Sequence, residues 1–212
     1  MGGWMSASQE KAPPTRLTQA QRRRQTKEKV LRCAAERFGR CGFAETSLAD
    51  IAEDAGITVT PIYHYFGNKL QLFTAVTEYY EDRLASRMAA MRSRGSWVLP
   101  DVWELFLNVM QEPGFSRVVL MDATHVLGRE RWPETSVFRE VKSLLGSAKA
   151  PVEAHLAGQF SDAESELLIR MVISALAEAA LTLAADPTLD ARSLMTRLLA
   201  MLGLDQVQLL SE

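Results

Sequence analysis

The sequence predicts an all-α protein, with a small N-terminal three-helix unit joined to a larger helical body. Three observations point there. Apolar residues recur three and four positions apart along most of the 212 residues. No run of alternating, β-branched residues occurs, so no strand is expected. Gly, Pro and cap-forming side chains fall where helices of ordinary length need to start and stop. With 47% hydrophobic and 24% charged residues, the chain can bury a core without disulfide or metal staples. Its two cysteines, Cys33 and Cys41, form no disulfide framework. On one straight helix they stand about 12 Å apart, too far to pair with each other.

Residues 1–17 are polar, contain Pro13-Pro14 and show no periodicity. They have no apolar core of a secretory signal, and no stretch of about 18 apolar residues follows, so a cytoplasmic protein without membrane association is expected. Thr18 and Gln21 make a capping-box pair for a first helix. Val30, Leu31, Ala34, Ala35 and Phe38 give it one apolar face to about Arg40, and Gly42 stops it. Ser47 and Asp50 repeat the pattern for a helix of two turns with Leu48, Ile51, Ala52 and Ala55 inward. Gly56 ends this helix and Ile57 turns back to the core. Thr58 is the expected N-cap of a third helix, which tolerates Pro61 in its first turn and ends near Phe66. Two short helices joined by a Gly-containing turn, with Ala52 small at their crossing, are the layout of a helix-turn-helix.

Gly67-Asn68 precedes a long helix from Lys69 to about Ser93, faced by Leu72, Phe73, Val76, Tyr80, Leu84 and Met88. After the Arg94-Gly95-Ser96 break, further helices are expected near 100–111, 114–128, 134–157, 162–185 and 188–203. The divisions follow as an arm-like N-terminus over 1–21, a helix-turn-helix domain over 22–84, and a helical body over 85–212.

Charge is distributed unevenly beneath a net of −2. Residues 1–42 carry ten Lys and Arg against three Glu, whereas 70–212 carry thirteen basic and nineteen acidic residues. A basic end on an acidic body suits a polyanion at one surface and another task elsewhere. Catalysis finds no constellation: no His-x-x-Glu or Glu-x-x-His pair occurs, and no nucleophile stands beside an evident base. No cofactor or metal is expected.

The stretch AAERFGRCGFAETSLADIAEDAGITVTPIYHYFGNKLQLF, within Thr26–Phe73, resembles the DNA-binding domain of the TetR family of bacterial transcriptional regulators. The matching features are a Phe-Gly helix end, the Thr-Ser cap, Ile-Ala-x-x-Ala-Gly-Ile, Tyr-x-x-Phe, and a Lys three residues later. The resemblance covers about a quarter of the chain. It implies that the third helix enters the major groove, placing Thr58, Val59, Thr60, Pro61, Tyr63 and His64 at or near double-stranded operator DNA. Threonine hydroxyls can hydrogen-bond base edges, and Val59 and threonine methyls can pack on thymine methyls. The segment from Thr58 to Phe66 lacks Arg, Lys, Asn and Gln, where many family members carry a cation near Val59. Bidentate guanine readout from this helix is therefore not expected. Tyr65 and Phe66 read as core.

Phosphate contacts are expected from Thr46 and Ser47 at a helix start, from the Tyr63 hydroxyl, and from Lys69, which matches a family phosphate contact. Arg22, Arg23, Arg24 and Lys27 could grip flanking backbone. Such contacts position the protein and steepen its salt dependence.

The resemblance further implies a body that dimerises and folds around an effector. FSRVVLMDATHVLGRERW adds a weaker similarity to a subgroup of these regulators. Trp97, Trp103, Phe106, Met110, Met121, Trp132 and Phe138 are candidate pocket residues for a small, largely apolar ligand, with Asp122 or His125 as orienting group. Leu168, Met171, Val172, Ala175, Leu176, Ala179 and Leu183 form an apolar stripe for a homodimer interface. Leu194, Leu198, Leu199, Met201 and Leu202 continue it on the last helix. The expected function is a homodimeric, ligand-released repressor. The alternative is a DNA-bound regulator without a small-molecule ligand, architectural or protein-responsive.

Overall fold

A computed structural model describes residues 18–93, 99–146, 161–186, 188–190, 193, 194 and 197. Among these no strand occurs, and the chain folds as a packed set of helices. The first, α1 (Gln19–Cys41), opens on the Thr18–Gln21 capping box, with both reciprocal bonds made, and closes at Gly42 in left-handed backbone, φ 81°. Residues 18–21, within the segment expected to be arm-like, are thus the cap and first turn of a helix. Then come α2 (Leu48–Asp54), α3 (Thr60–Phe66) and the long α4 (Lys69–Ser93). The helix α5 spans Leu99–Met110. A π-helical stretch, Ser116–Asp122, runs on into the one-turn helix α6 (Ala123–Val126). A 3-10 turn at Trp132–Glu134 leads to α7 (Ser136–Gly146), and α8 spans Asp162–Ala185 behind a Ser161–Glu164 capping box. The parts expected as helix over 147–157, 191–192, 195–196 and 198–203 lie outside the described residues, and 188–190, expected to open the last helix, are not helical.

The main core lies between α1 and α4. Phe38, Phe73, Leu72, Val76, Val30, Ile51 and Ile62 are completely buried there. Phe38 meets Phe73 edge-on at 5.1 Å between ring centres, and Phe43 meets Phe73 at 4.9 Å. These large rings fix the angle at which α4 leaves the helix-turn-helix. Phe115 and Val118, from the body, complete the same cluster.

The N-terminal helices and the body are joined by main-chain proximity. A Cβ placed on Gly39 would stand 2.5 Å from the Cα of Gly114, so only glycine permits this approach. Beside it the Tyr80 hydroxyl donates to the Pro113 carbonyl at 2.8 Å. The Asp122 carboxylate accepts the Phe43 N–H at 2.6 Å and pairs with Arg117 at 3.4 Å. The π-helical stretch therefore touches the turn just before α2. Within it the Ala123 N–H donates to Val118 O, five residues back. Such insertions are concentrated at functional sites.

Along its second half α4 is tied to the body by charge. Arg131 donates two hydrogen bonds of 2.7 Å to the buried Glu81 carboxylate. Burial pushes that carboxyl up in pKa, while Arg131 pulls it back. Arg92 pairs with Glu140 of α7 at 2.8 Å. A buried pair of this kind fixes orientation more than it adds stability.

Candidate nucleic-acid interface

The two short helices form a tight angle because each local signal agrees. Ser47 accepts the Asp50 N–H at 3.1 Å, and Asp50 accepts the Ser47 N–H at 3.0 Å. Gly56, at φ 59°, reverses the chain after α2, and the Ile57 N–H closes on Ala52 O at 3.0 Å. The expected cap at Thr58 is corrected: α3 starts at Thr60, and the cap is Val59, which makes no side-chain bond. Val59 packs half-buried against the core and so takes the inward position, leaving Thr58 exposed.

The register of α3 is set by its buried side, Ile62 and Phe66. That leaves Thr60, Tyr63 and His64 facing outward, with Tyr63 54% exposed. Pro61 and Tyr65 are half-buried. The residues expected to face the groove thus divide into an exposed set, Thr58, Thr60, Tyr63 and His64, and a packed pair, Val59 and Pro61.

The expected phosphate contacts also divide. Thr46 is only 2% exposed, and its hydroxyl donates to Gly42 O at 2.7 Å. Its side chain is committed to the turn, so a Thr46 side-chain contact is corrected to a structural role. Ser47 is exposed, although its hydroxyl serves the cap. The Lys69 ammonium lies over the Phe43 ring, 4.4 Å from its centre, and donates to Ala44 O at 3.3 Å. It therefore stands on the turn that leads into α2. Lys27 stands 5.6 Å from the centre of the Phe66 ring, beside α3. Arg22 and Arg23 are exposed on the first turns of α1, while Arg24 pairs with Glu28 at 2.7 Å.

Sequence reasoning missed Arg37. Its guanidinium reaches Asp50 and Asp54, each at 3.3 Å, and offsets two acids on α2 beside the exposed face. Hydrogen bonding to Ser47 holds the Asp50 carboxyl below the usual carboxylate range, and Arg37 acts in the same direction. The only sequence signal was its place on α1 among other basic residues.

The body residues expected to line one pocket are not gathered in one place. Trp103 and Phe106 are buried together, ring centres 5.9 Å apart, with Met110 half-buried beside them. Phe138 is buried on α7. Met121 and His125 are exposed, and His125 Nδ1 lies 2.7 Å from Met121 O. Trp132 sits half-buried under the Arg129 guanidinium. Asp122 is committed to Phe43 and Arg117, so an orienting role for it is corrected to a link between the two parts of the chain. Trp97 lies outside the described residues. Of the expected interface residues, Leu176, Ala179 and Leu183 pack against the Trp103 cluster, Leu168 is half-buried, and Ala175 and Leu194 are exposed. Val172 is placed on α8 by its backbone alone, and Leu198 and Met201 lie outside the described residues. Among those residues no helix is long and apolar enough to cross a membrane, and no cluster of metal ligands occurs.

A folded helix-turn-helix with exposed polar residues on its outer face, packed on a helical body, has the architecture of a DNA-binding regulator of the helix-turn-helix class. Comparison with known proteins makes this specific. The model of the bacterial regulatory proteins of the tetR family matches residues 30–76, and that of the tetracyclin repressor-like C-terminal domain matches 99–203. The chain belongs to the TetR family of bacterial transcriptional regulators.

It is 33% identical over 87 residues to the uncharacterised HTH-type transcriptional regulator YezE of Bacillus subtilis, covering 40% of this chain and 45% of that one. It is 41% identical over 54 residues to the HTH-type transcriptional regulator TtgR of Pseudomonas putida, covering 26% of each. The chain thus matches less than half the length of either relative. The crystal structure of a TetR-family regulator from Pectobacterium atrosepticum superposes with a TM-score of 0.59 at 25% identity, covering 92% of this chain and 99% of that one.

Proposed function

We propose that this protein is a homodimeric repressor that binds operator DNA through α3 and is released by a small, largely apolar ligand. The observation that carries the DNA half is the outer face of α3. Thr60, Tyr63 and His64 project from a helix whose register is set by the buried Ile62 and Phe66, and Lys69 and Lys27 flank it. In this reading Thr58, Thr60 and His64 meet base edges, while Tyr63, Ser47, Lys69, Lys27, Arg22 and Arg23 meet phosphates. Residues 22–84 serve as the DNA reader and 85–212 as the regulatory and dimerising part.

Dimerisation is supported by α8. Leu167 and Met171 are 58% and 60% exposed, and Ala175 extends the same face by one turn. The face keeps Met171 and Ala175 of the stripe read in the sequence and adds Leu167, while Leu176, Ala179 and Leu183 are used inside the protomer. Two readers held by such an interface engage half-sites about 34–36 Å apart, one helical turn of DNA. Release is supported by the Asp122–Phe43 bond, which couples the π-helical stretch to the turn ahead of α2. A ligand that binds better to the rearranged body shifts the population away from the DNA-bound form.

The close packing of Trp103 and Phe106 favours a second reading, a DNA-bound regulator with no small-molecule effector. Anisotropy titration of the full chain onto its own upstream intergenic DNA, beside a scrambled duplex and across a salt series, tests the first half of the proposal. Selective, salt-sensitive binding is expected. Equal binding to both duplexes rejects a local operator.

A further inference from the structure

Trp103 is 4% exposed, and its indole Nε1–H is buried without a hydrogen-bond partner among the described residues. It shares a buried cluster with Phe106 and Ala180, against which Leu107, Met110, Leu120, Leu176, Ala179 and Leu183 pack. Tryptophan is a poor choice for such a place if packing is the only task. A buried donor left unmade costs about 1–3 kcal/mol, which an apolar ring of similar shape would avoid. An orphan of this kind in a folded protein calls for an explanation.

We infer that the Trp103 Nε1–H is the single polar contact for the effector, and that the effector is an uncharged apolar molecule carrying one hydrogen-bond acceptor, such as a ketone or ether. This rests on the ligand-released reading above and names the class of ligand. The surroundings restrict the chemistry. The side chains of this cluster offer no counter-charge, so a carboxylate or ammonium seated against them would be desolvated without one. A neutral acceptor loses little on entry and satisfies the waiting donor.

The place of entry follows from Met110 and Leu120. Both are half-buried and pack against this cluster and against the main core alike. They form the seam between the two. Met is adaptable in shape and can yield at this seam. Leu120 belongs to the π-helical stretch, two residues before Asp122, whose carboxylate holds the Phe43 N–H. A molecule seated on Trp103 and parting this seam therefore bears on the segment that touches the DNA reader.

The test uses benzophenone and diphenylmethane, which share a skeleton and differ in the acceptor. Both are titrated into the 15N-labelled full chain. Direct binding is read from the tryptophan indole cross-peaks, with that of Trp103 assigned by its loss in Trp103→Phe. Benzophenone is expected to move the Trp103 cross-peak downfield and to bind about tenfold more tightly than diphenylmethane. That preference is expected to vanish in Trp103→Phe. Equal affinities in the wild type, a preference that survives Trp103→Phe, or no binding by either compound overturns the inference; the first and last outcomes need no variant to fold. Operator anisotropy is followed in parallel. Binding at Trp103 without DNA release rejects the ligand-released reading and leaves the site. Release by compounds that leave the Trp103 cross-peak unmoved rejects the site and leaves the reading.

Discussion

At the scale of single residues, the proposed DNA face is expected to make two kinds of contact. Tyr63 and Lys69 are assigned to phosphates, which carry no sequence information of their own. Lys69→Ala is expected to weaken binding to operator and scrambled duplex in the same proportion and to lower the slope of log affinity against log salt by about one. An unchanged slope would remove Lys69 from the interface. Thr60→Ala is expected instead to change the ranking of operator variants, seen by competition anisotropy. Asp50 gives a pH prediction. Its carboxyl is held below the usual range in the folded state. It therefore stabilises the fold above the unfolded-state pKa, about 3.9, and that contribution is lost as pH falls through the lower folded value. Asp50→Asn is expected to lower Tm at pH 7 and to flatten the fall in Tm between pH 5 and 3. Parallel curves for variant and wild type would contradict it. Much of this scale was legible beforehand, because capping pairs are local. Thr46 was not: a threonine at a helix start reads alike whether its hydroxyl faces solvent or, as here, Gly42 O.

At the scale of elements, α1, α2, α4 and α8 follow from periodicity and caps. Thr18, Ser47 and Ser161 each sit where their side chains accept the N3 amide. The start of α3 was misplaced because Thr58 has the chemistry of a cap while Val59 has the hydrophobicity to be drawn into the core, and burial decided the register. The π-helical stretch was read as ordinary helix. One extra residue in a turn hardly alters a 3.6-residue pattern, and the partner of its last residue, Phe43, is 79 positions away in sequence. The pairing of Glu81 with Arg131, 50 positions apart, leaves no local signal either. Phe38 tests the element scale. It is fully buried between α1 and α4. Phe38→Ala is expected to cost about 3–5 kcal/mol in urea denaturation, with loss of operator binding. A cost below 1 kcal/mol would mean that the rings of Phe43 and Phe73 close the gap.

At the scale of the whole molecule, α8 leaves Leu167 and Met171 exposed beyond what the other described residues cover. Met171→Glu is expected to give monomers by light scattering and to reduce operator affinity steeply, since two readers no longer act together. A persistent dimer would place the interface elsewhere. The stripe was visible in the sequence, but its two uses were not. A helix of this composition has apolar residues on more than one side, and packing against distant residues such as Trp103 and Phe106 decides which side is taken within the protomer.

The contact between Gly39 and Gly114 bears on how motion passes through such a protein. Most neighbouring helices are separated by a layer of side chains, which absorbs small displacements by changing rotamer. Here that cushion is missing, and two backbones rest directly on each other. No rotamer change is available to take up a displacement at this point, so a shift of the chain at Gly114 meets α1 there through main-chain atoms.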